Sequence, residues 1–496
     1  MFKKITILSS ILLMLTVGLT MPTLMAQDDG HVSYWPTDGW RSSTPEEQGM
    51  DSDALADLME DFAEDDGALD SLLVVRNGYV VLDAYIHPFE QGRRHELYSV
   101  TKSITSTVIG AAIQQGYIES VDQTVVELLG DLVPDGVDEE HAALTLEHML
   151  MMGSGIDCPG DEGNQPTRGT SVHMEGDRYE DLLLEPIVAA PAERFQYCNP
   201  VSNLLSVIVT QTTGQNANAF ATQHVFEPLG IRNPLWSSDS RGNSVGAAQL
   251  QMTPYDMAKI GYLYLNDGQW DGEQIIPADY VRAATSGHIY ALGFVDYGYQ
   301  WWVIDENVAV AWGYGGQHII INRDLNIIIV TTATNALDFI PYYHNLMNRV
   351  FAALTEDTTE NPESVERLDA VVSTLANPIT INDDLLVSLD GQTFDLPDND
   401  FMWESIRIST TVDPDVLLIS INHSADVPMG MTSTGEIVNA ADADWLPGNS
   451  DLMLSGEWTT ADTLHISAQP FLPPGALHAW LTFNNDGVAE ILTFGG

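Results

Sequence analysis

The 496-residue chain is short of bases, of cysteine and of long apolar runs. It carries 18 Lys+Arg against 71 Asp+Glu, a formal net charge of −53 and a pI near 4.1. Nucleic-acid and anionic-membrane binders need a basic surface, so this balance argues against both. The skew reflects missing bases more than extra acids, because charged residues make up only 18%, an ordinary-to-low share. Lysine is scarcest: Lys3, Lys4, Lys102 and Lys259 are the full set. Two cysteines, Cys158 and Cys198, are too few for a disulfide scaffold or a Cys-based zinc site, and an even count does not by itself pair them. Beyond the N-terminus no stretch approaches the ~20 continuous apolar residues of a spanning helix. What remains is 44% hydrophobic with a mean hydropathy of −0.04. That is no disordered acidic polymer, and the length suffices for two or three domains with cores of their own.

Residues 1–26 read as an export signal. Met-Phe-Lys-Lys is followed by an apolar run from Ile5 to about Thr20 and by Leu24-Met25-Ala26 before Gln27. A basic start, an apolar run and a small residue at the cut define such a signal. An uncleaved N-terminal anchor is the alternative, and the absence of Cys there leaves lipoprotein anchoring unsupported. The expected location is secreted or periplasmic, hence oxidising.

Residues 71–86 form two β-branched runs flanking Asn77-Gly78, a strong hairpin signal. A helical pattern from about Ser99 to Gln115 stops at Gly116. Its interior is apolar or small nearly all round, which predicts a buried helix. A mostly helical stretch follows to about residue 285, interrupted by a polar, Gly-rich loop or lid at Pro159–Asp177. Strands are then expected at Tyr299–Ile304, Val308–Trp312, His318–Asn322 and Asn326–Ala333, and a helix at about Tyr342–Leu354. Short turns allow an antiparallel meander, so one sheet covered by helices is the simplest arrangement. Residues 356–376 read as a linker with a short helix. Residues 377–496 read as an all-β domain, a small barrel or sandwich.

Three segments carry candidate chemistry. Ser99-Val100-Thr101-Lys102 opens the buried helix, where i and i+3 share a face and hydroxyl and amine can meet. A capping serine followed by an unrelated lysine is the plainer reading. Against it stands the scarcity of lysine and the apolar character of the helix, since a desolvated lysine can lose its proton and act as a base. Tyr197-Cys198-Asn199 is a Y-x-N that alone reads as a turn. Gly313-Tyr314-Gly315-Gly316-Gln317 sits at the start of a strand, where its glycines permit close backbone approach or mark a β-bulge.

Taken in order, the three segments resemble the serine β-lactamase and penicillin-binding-protein superfamily. The closest likeness is to its class C-like branch of esterases and 6-aminohexanoate-dimer hydrolases, over roughly residues 40–355. Leu144–Leu150, Ser154-Gly155-Ile156 and Thr253–Gly261 support it. The resemblance implies an α+β fold: a β-lactamase-like antiparallel sheet flanked by helices with a helical subdomain, spanning residues 27–355. It implies Ser99 as acyl-accepting nucleophile, Lys102 as the group that holds and relays its proton, and Tyr197 as general acid or base. Asn199 would orient lysine or substrate, and backbone N–H groups of Ser99 and Gln317 would form an oxyanion hole. No metal or other cofactor is implied. The family's Lys-Thr-Gly is here Tyr314-Gly315-Gly316. An aromatic cannot pair with a substrate carboxylate, which disfavours β-lactam and D-Ala-D-Ala substrates and favours a neutral ester or amide. The resemblance also brings the Ser154–Ile156 segment and Y-x-N to one site, implying a Cys158–Cys198 disulfide, with two buried free thiols as the alternative.

The expected function is thus an exported serine hydrolase of small ester or amide substrates, with no nucleic-acid partner and no membrane span after signal removal. A β-lactamase or DD-peptidase, and a silent cell-wall-binding protein on the same fold, are the alternatives. A classical Ser-His-Asp hydrolase is the less favoured reading. Lys259 is expected on a helix surface, and exposed Trp403 or Trp445 could aid substrate binding, although core packing suits them better. The acidic, lysine-poor composition suits salty surroundings, where counterions screen self-repulsion.

Overall fold

A computed structural model describes residues 34–496 except 65–68, 87–88, 159–174, 294, 334–338, 357–358, 360, 377–388, 398–402, 412–415, 423–425, 431–435, 439–451, 459–462, 471–476, 485–486 and 496. The export segment, most of the expected lid and Trp445 lie outside the described residues.

The hairpin forms where the turn chemistry places it. Strands Ser71–Arg76 and Tyr79–Tyr85 pair antiparallel, with Arg76 opposite Tyr79. Asn77 (φ 51°) and Gly78 (φ 77°) take the left-handed conformation that a two-residue hairpin requires. Strand Ser71–Arg76 then pairs with Ile327–Thr332, which continues through Gln317–Asn322 and Val308–Gly313 to Trp302–Val303, Val295–Tyr297 and Ile289–Leu292. The result is one eight-stranded sheet, antiparallel at every pairing and mixed in strand order.

Every residue of Val308–Gly313, Gln317–Asn322 and Ile327–Thr332 is buried. Both faces of the sheet's centre are therefore covered, which explains runs such as Ile327-Ile328-Ile329 in place of polar–apolar alternation. Each such isoleucine, fully withdrawn from water, contributes roughly 1.5–3 kcal/mol. Helix Pro254–Leu265 lies on strands Gln317–Asn322 and Ile327–Thr332. A Cβ at Gly261 would come within 2.8 Å of Ile328 Cγ2, so that helix depends on glycine to sit this close. The central helix, Val100–Gln114, is buried at every position from Val100 to Ala112. It packs against helix Asn199–Thr213 and strand Val308–Gly313, and Gly116 (φ 76°) follows its end. Short helices Val125–Leu129, Leu146–Leu150 and Ala217–Ala221 build the helical region around it.

Several expectations need correction. Strand Tyr299–Ile304 is reduced to Trp302–Val303, because Gln300 (φ 62°) leaves extended geometry to serve as a buried polar hub. Its backbone carbonyl accepts from Ser103 Oγ (2.6 Å), its Oε1 from Ser202 Oγ (2.6 Å), and its Nε2 donates to Leu150 O (2.8 Å). The sheet also gains Ile289–Leu292 and Val295–Tyr297, just after the stretch expected to be helical. Lys259 is not on a surface: it is buried and donates to Gly230 O (2.8 Å) and Thr37 O (3.4 Å). The Gly-rich motif does stand at a strand start, since Gln317 opens Gln317–Asn322, and its Tyr314–Gly316 forms the hairpin turn from the preceding strand Val308–Gly313.

The stretch expected as a linker holds the helix Pro362–Ala376, docked on helix Ser52–Glu64. Arg367 donates to Asp53, Asp57 and Glu60, and Ser364 Oγ to Asp53. The C-terminal region is one nine-stranded sheet from Gln392–Asp395 to Gly487–Gly495. Its first and last strands lie side by side, as in a barrel. Trp403 is buried there with Ile406, Ile408, Ile419 and Ile421, so it packs and is not offered to a ligand.

Candidate active site

Ser99 precedes the first turn of the central helix, and its side chain makes no capping hydrogen bond. Its hydroxyl is therefore free for another partner, which removes the capping alternative. One turn on, Lys102 Nζ donates to Ser99 Oγ (3.0 Å) and to Ala247 O (2.8 Å). Lys102 is 1% exposed, and among the described residues no carboxylate pairs with it. Burial without a counter-charge lowers its pKa from 10.5 to about 7. The amine also sits 4.8 Å from the centroid of the Tyr197 ring, an interaction that favours the ammonium and opposes part of that shift.

Tyr197 also lies within reach of Ser99 through its phenol. Burial raises its phenol well above the ordinary range, and a hydrogen bond with Ser99 offsets part of the rise. At neutral pH it is therefore a protonated donor and not a phenolate. Its ring stacks on Trp302 (centroids 6.0 Å, planes 18° apart), and Trp302 meets Tyr297, Trp312 and Phe195. The backbone on either side is tied to Met152: Gln196 N donates to Met152 O (2.9 Å) and Cys198 N contacts Met152 Sδ (3.1 Å). Cys158 and Cys198 form a disulfide, joining the segment after Ser154–Ile156 to the residue next to Tyr197.

The glycine turn meets the same place. A Cβ on Gly313 would lie 2.3 Å from Leu97 O, so glycine lets this strand end press against the segment leading into Ser99. Gly315 (φ 76°) and Gly316 (φ 99°) turn the chain. Tyr314, 53% exposed, packs edge-on against Tyr98, the neighbour of Ser99, with centroids 5.5 Å apart. The Gln317 side chain is buried and turned to Ala333, donating through Nε2 to its carbonyl, so only its backbone is left to meet a ligand. Asn199 opens helix Asn199–Thr213 and is partly exposed.

Four contributors escaped the sequence reading. Ala247 acts through its carbonyl, which no side-chain pattern reveals. Asn203, one turn beyond Asn199, accepts from Ala247 N through Oδ1 (2.9 Å) and steadies that carbonyl. Trp302 backs Tyr197, and the adjacent pair Trp301-Trp302 was the available hint. Glu96 lies three residues before Ser99, and its acidity beside an apolar helix start was the signal. Among the described residues no group of three or more His, Cys, Asp or Glu is arranged to hold a metal ion.

A Ser-x-x-Lys pair at the head of a buried helix, beside an antiparallel sheet and met by a tyrosine from the helical region, defines the serine β-lactamase-fold class. The beta-lactamase family model matches residues 55–372, and the chain belongs to that family. A 6-aminohexanoate-dimer hydrolase of Paenarthrobacter ureafaciens is 24% identical over 330 residues, covering 62% of this chain and 84% of that protein. A Bacillus anthracis structure assigned provisionally as a 6-aminohexanoate-dimer hydrolase is 21% identical with a TM-score of 0.51, covering 59% of this chain and 80% of its own. EstCE1, a hydrolase with promiscuous acyltransferase activity, is 16% identical with a TM-score of 0.50, covering 61% of this chain and 98% of its own. These structures share the fold.

Proposed function

We propose that this protein is an exported serine hydrolase that cleaves neutral esters or amides through an acyl-enzyme on Ser99. The observation that carries this reading is the 3.0 Å contact between Ser99 Oγ and a buried lysine amine lacking any acidic partner among the described residues. Near pH 7 a substantial fraction of Lys102 is neutral, and its lone pair can take the hydroxyl proton as Oγ attacks the carbonyl carbon. The Tyr197 phenol then protonates the leaving oxygen or nitrogen as its bond to the acyl carbon breaks. In a second step water attacks the acyl carbon and gives a proton to the Tyr197 phenolate, while Lys102 returns its proton to the departing Ser99 Oγ, which releases the acid and restores all three groups. Backbone N–H groups of Ser99 and Gln317 serve the developing oxyanion.

An exposed tyrosine at 314 and the aromatic surroundings of Tyr197 support an uncharged acyl group over a carboxylate-bearing β-lactam or D-Ala-D-Ala peptide. The hydrolase names of the relatives agree with the reaction class. The basic-then-apolar segment at residues 1–26 supports export to the periplasm or medium. Fluorophosphonate labelling with mass spectrometry tests the nucleophile. Label on Ser99, absent in Ser99→Ala, is expected, and unlabelled Ser99 in folded protein rejects the reading in favour of a silent binding protein. Faster turnover of nitrocefin than of p-nitrophenyl esters would reject the substrate class.

A further inference from the structure

Glu96 joins two strained places near the candidate nucleophile. Its Oε1 accepts from Tyr98 N (3.3 Å) and from Gln249 N (2.8 Å). Tyr98 (φ 46°) and Gln249 (φ 67°) are both non-glycine residues in the left-handed conformation, which side-chain-bearing residues adopt only when the surroundings hold them. Tyr98 immediately precedes Ser99. Gln249 lies two residues after Ala247, whose carbonyl accepts from Lys102 Nζ.

One carboxylate oxygen therefore ties the segment that presents the hydroxyl to the segment that presents the lysine's acceptor. Neighbouring ties do not duplicate it. Leu97 N donates to Leu250 O (2.9 Å) and Leu250 N to Thr101 Oγ1 (3.4 Å); both hold Leu250, one residue beyond the turn, and neither reaches the N–H of Tyr98 or Gln249. Asn203 holds Ala247 from helix Asn199–Thr213, Thr105 Oγ1 on the central helix donates to Gly246 O (2.8 Å), and His95–Glu96 pairs with Gln251–Met252; to these Glu96 adds the acceptor for the Tyr98 and Gln249 N–H groups. Glu96 is also a costly residue to place there, since burial raises its carboxyl to about 7. A group desolvated at that cost needs a compensating use.

We propose that Glu96 is a positioning residue: by accepting from Tyr98 N–H and Gln249 N–H it sets the register of Ser99 against Lys102 and Ala247 O. The inference rests on the Ser99–Lys102 reading of the site. It differs from that reading in its observable, the protection of two backbone amides.

The test compares Glu96→Ala and Glu96→Gln in the full chain, reading turnover of a p-nitrophenyl ester and residue-resolved amide exchange. Gln keeps an acceptor oxygen, so E96Q is expected to stay within ~3-fold of the parent kcat. E96A is expected to lose about 10- to 100-fold in kcat with KM within ~3-fold, as displacement of reacting groups by about 1 Å costs. The Tyr98 and Gln249 amides are expected to exchange at least ~10-fold faster in E96A. Equal loss in both variants, unchanged exchange in E96A, or faster exchange with unaltered kcat each overturns the proposal. If E96A does not fold, Glu96→Asp replaces it under the same expectations, its oxygen being about 1.5 Å short of the amides. If the parent turns over no ester or amide, the hydrolase reading fails, and the exchange measurement alone decides whether Glu96 holds the two amides.

Discussion

Lys102 Nζ and Ser99 Oγ stand 3.0 Å apart across one turn of a helix that is buried from Val100 to Ala112. Helix geometry brings them together, and the surrounding core decides the amine's charge.

Activity should therefore rise with pH through about 7, as Lys102 loses its proton. A pH–rate profile for kcat checks this, and a flat profile from about pH 5 to 9 counts against Lys102 as base. Few lysines make a direct reading practicable: in 13C-lysine-labelled protein, the Lys102 signal should titrate near 7.

Lys102→Met should lower kcat by about 10²–10⁴-fold while stabilising the fold. The sign follows from linkage. The folded pKa lies below the unfolded value, so the unfolded chain binds more protons between about 7 and 10.5, and parent stability rises with pH across that window. The advantage of the Met variant should be about 2 kcal/mol or more at pH 6 and shrink toward pH 10. Denaturant unfolding at both pH values measures it, and an advantage that grows with pH contradicts the assignment.

Tyr197→Phe should cost about 10²–10³-fold in kcat with a small change in unfolding temperature. Burial holds the phenol protonated well beyond neutrality, so the parent should show no alkaline limb below about pH 10. A fall in kcat between pH 8 and 9 that disappears in the Phe variant would reverse the proton-donor role.

The Cys158–Cys198 link spans a sequence separation of 40, for which chain entropy gives about 4 kcal/mol of stabilisation. Cys158→Ser with Cys198→Ser should lower stability by up to that amount. It should also lower kcat more than it raises KM, because Cys198 adjoins Tyr197. A non-reduced peptide map should show the linked pair.

Tyr314→Lys should improve kcat/KM for a carboxylate-bearing substrate relative to a neutral ester by about 10-fold, through a charge at the turn beside Ser99. With Tyr314 53% exposed, the change in stability should stay within about 0.5 kcal/mol. Unfolding temperature and ester turnover should in addition hold from about 0.1 M to about 1 M NaCl, since counterions screen the repulsion of a chain at −53.

The features legible in the sequence were those governed by neighbours. Asn77-Gly78 specified a hairpin because both residues accept positive φ, and the structure pairs Arg76 with Tyr79 across it. Gly313 signalled close approach, and Leu97 O occupies the space a side chain would need. The misreadings share a cause. Lys259 looked like a surface lysine because its acceptors, Thr37 O and Gly230 O, lie 222 and 29 residues away. Gln300 read as strand because its partners Ser103, Leu150 and Ser202 belong to other segments. Backbone carbonyls and distant amides leave no mark on local pattern.

The sequence by itself determined that Ser99 and Lys102 share a helix face, since i and i+3 neighbours are set by the backbone repeat. It also singled out Lys102, as one of four lysines standing in an apolar helix. Only the tertiary structure decided that this lysine is desolvated, that Ala247 O, 145 residues on, accepts from it, and that the Tyr197 phenol comes within reach of Ser99. Proton affinity depends on what packs around an amine, and packing brings together segments that the local pattern treats as unrelated.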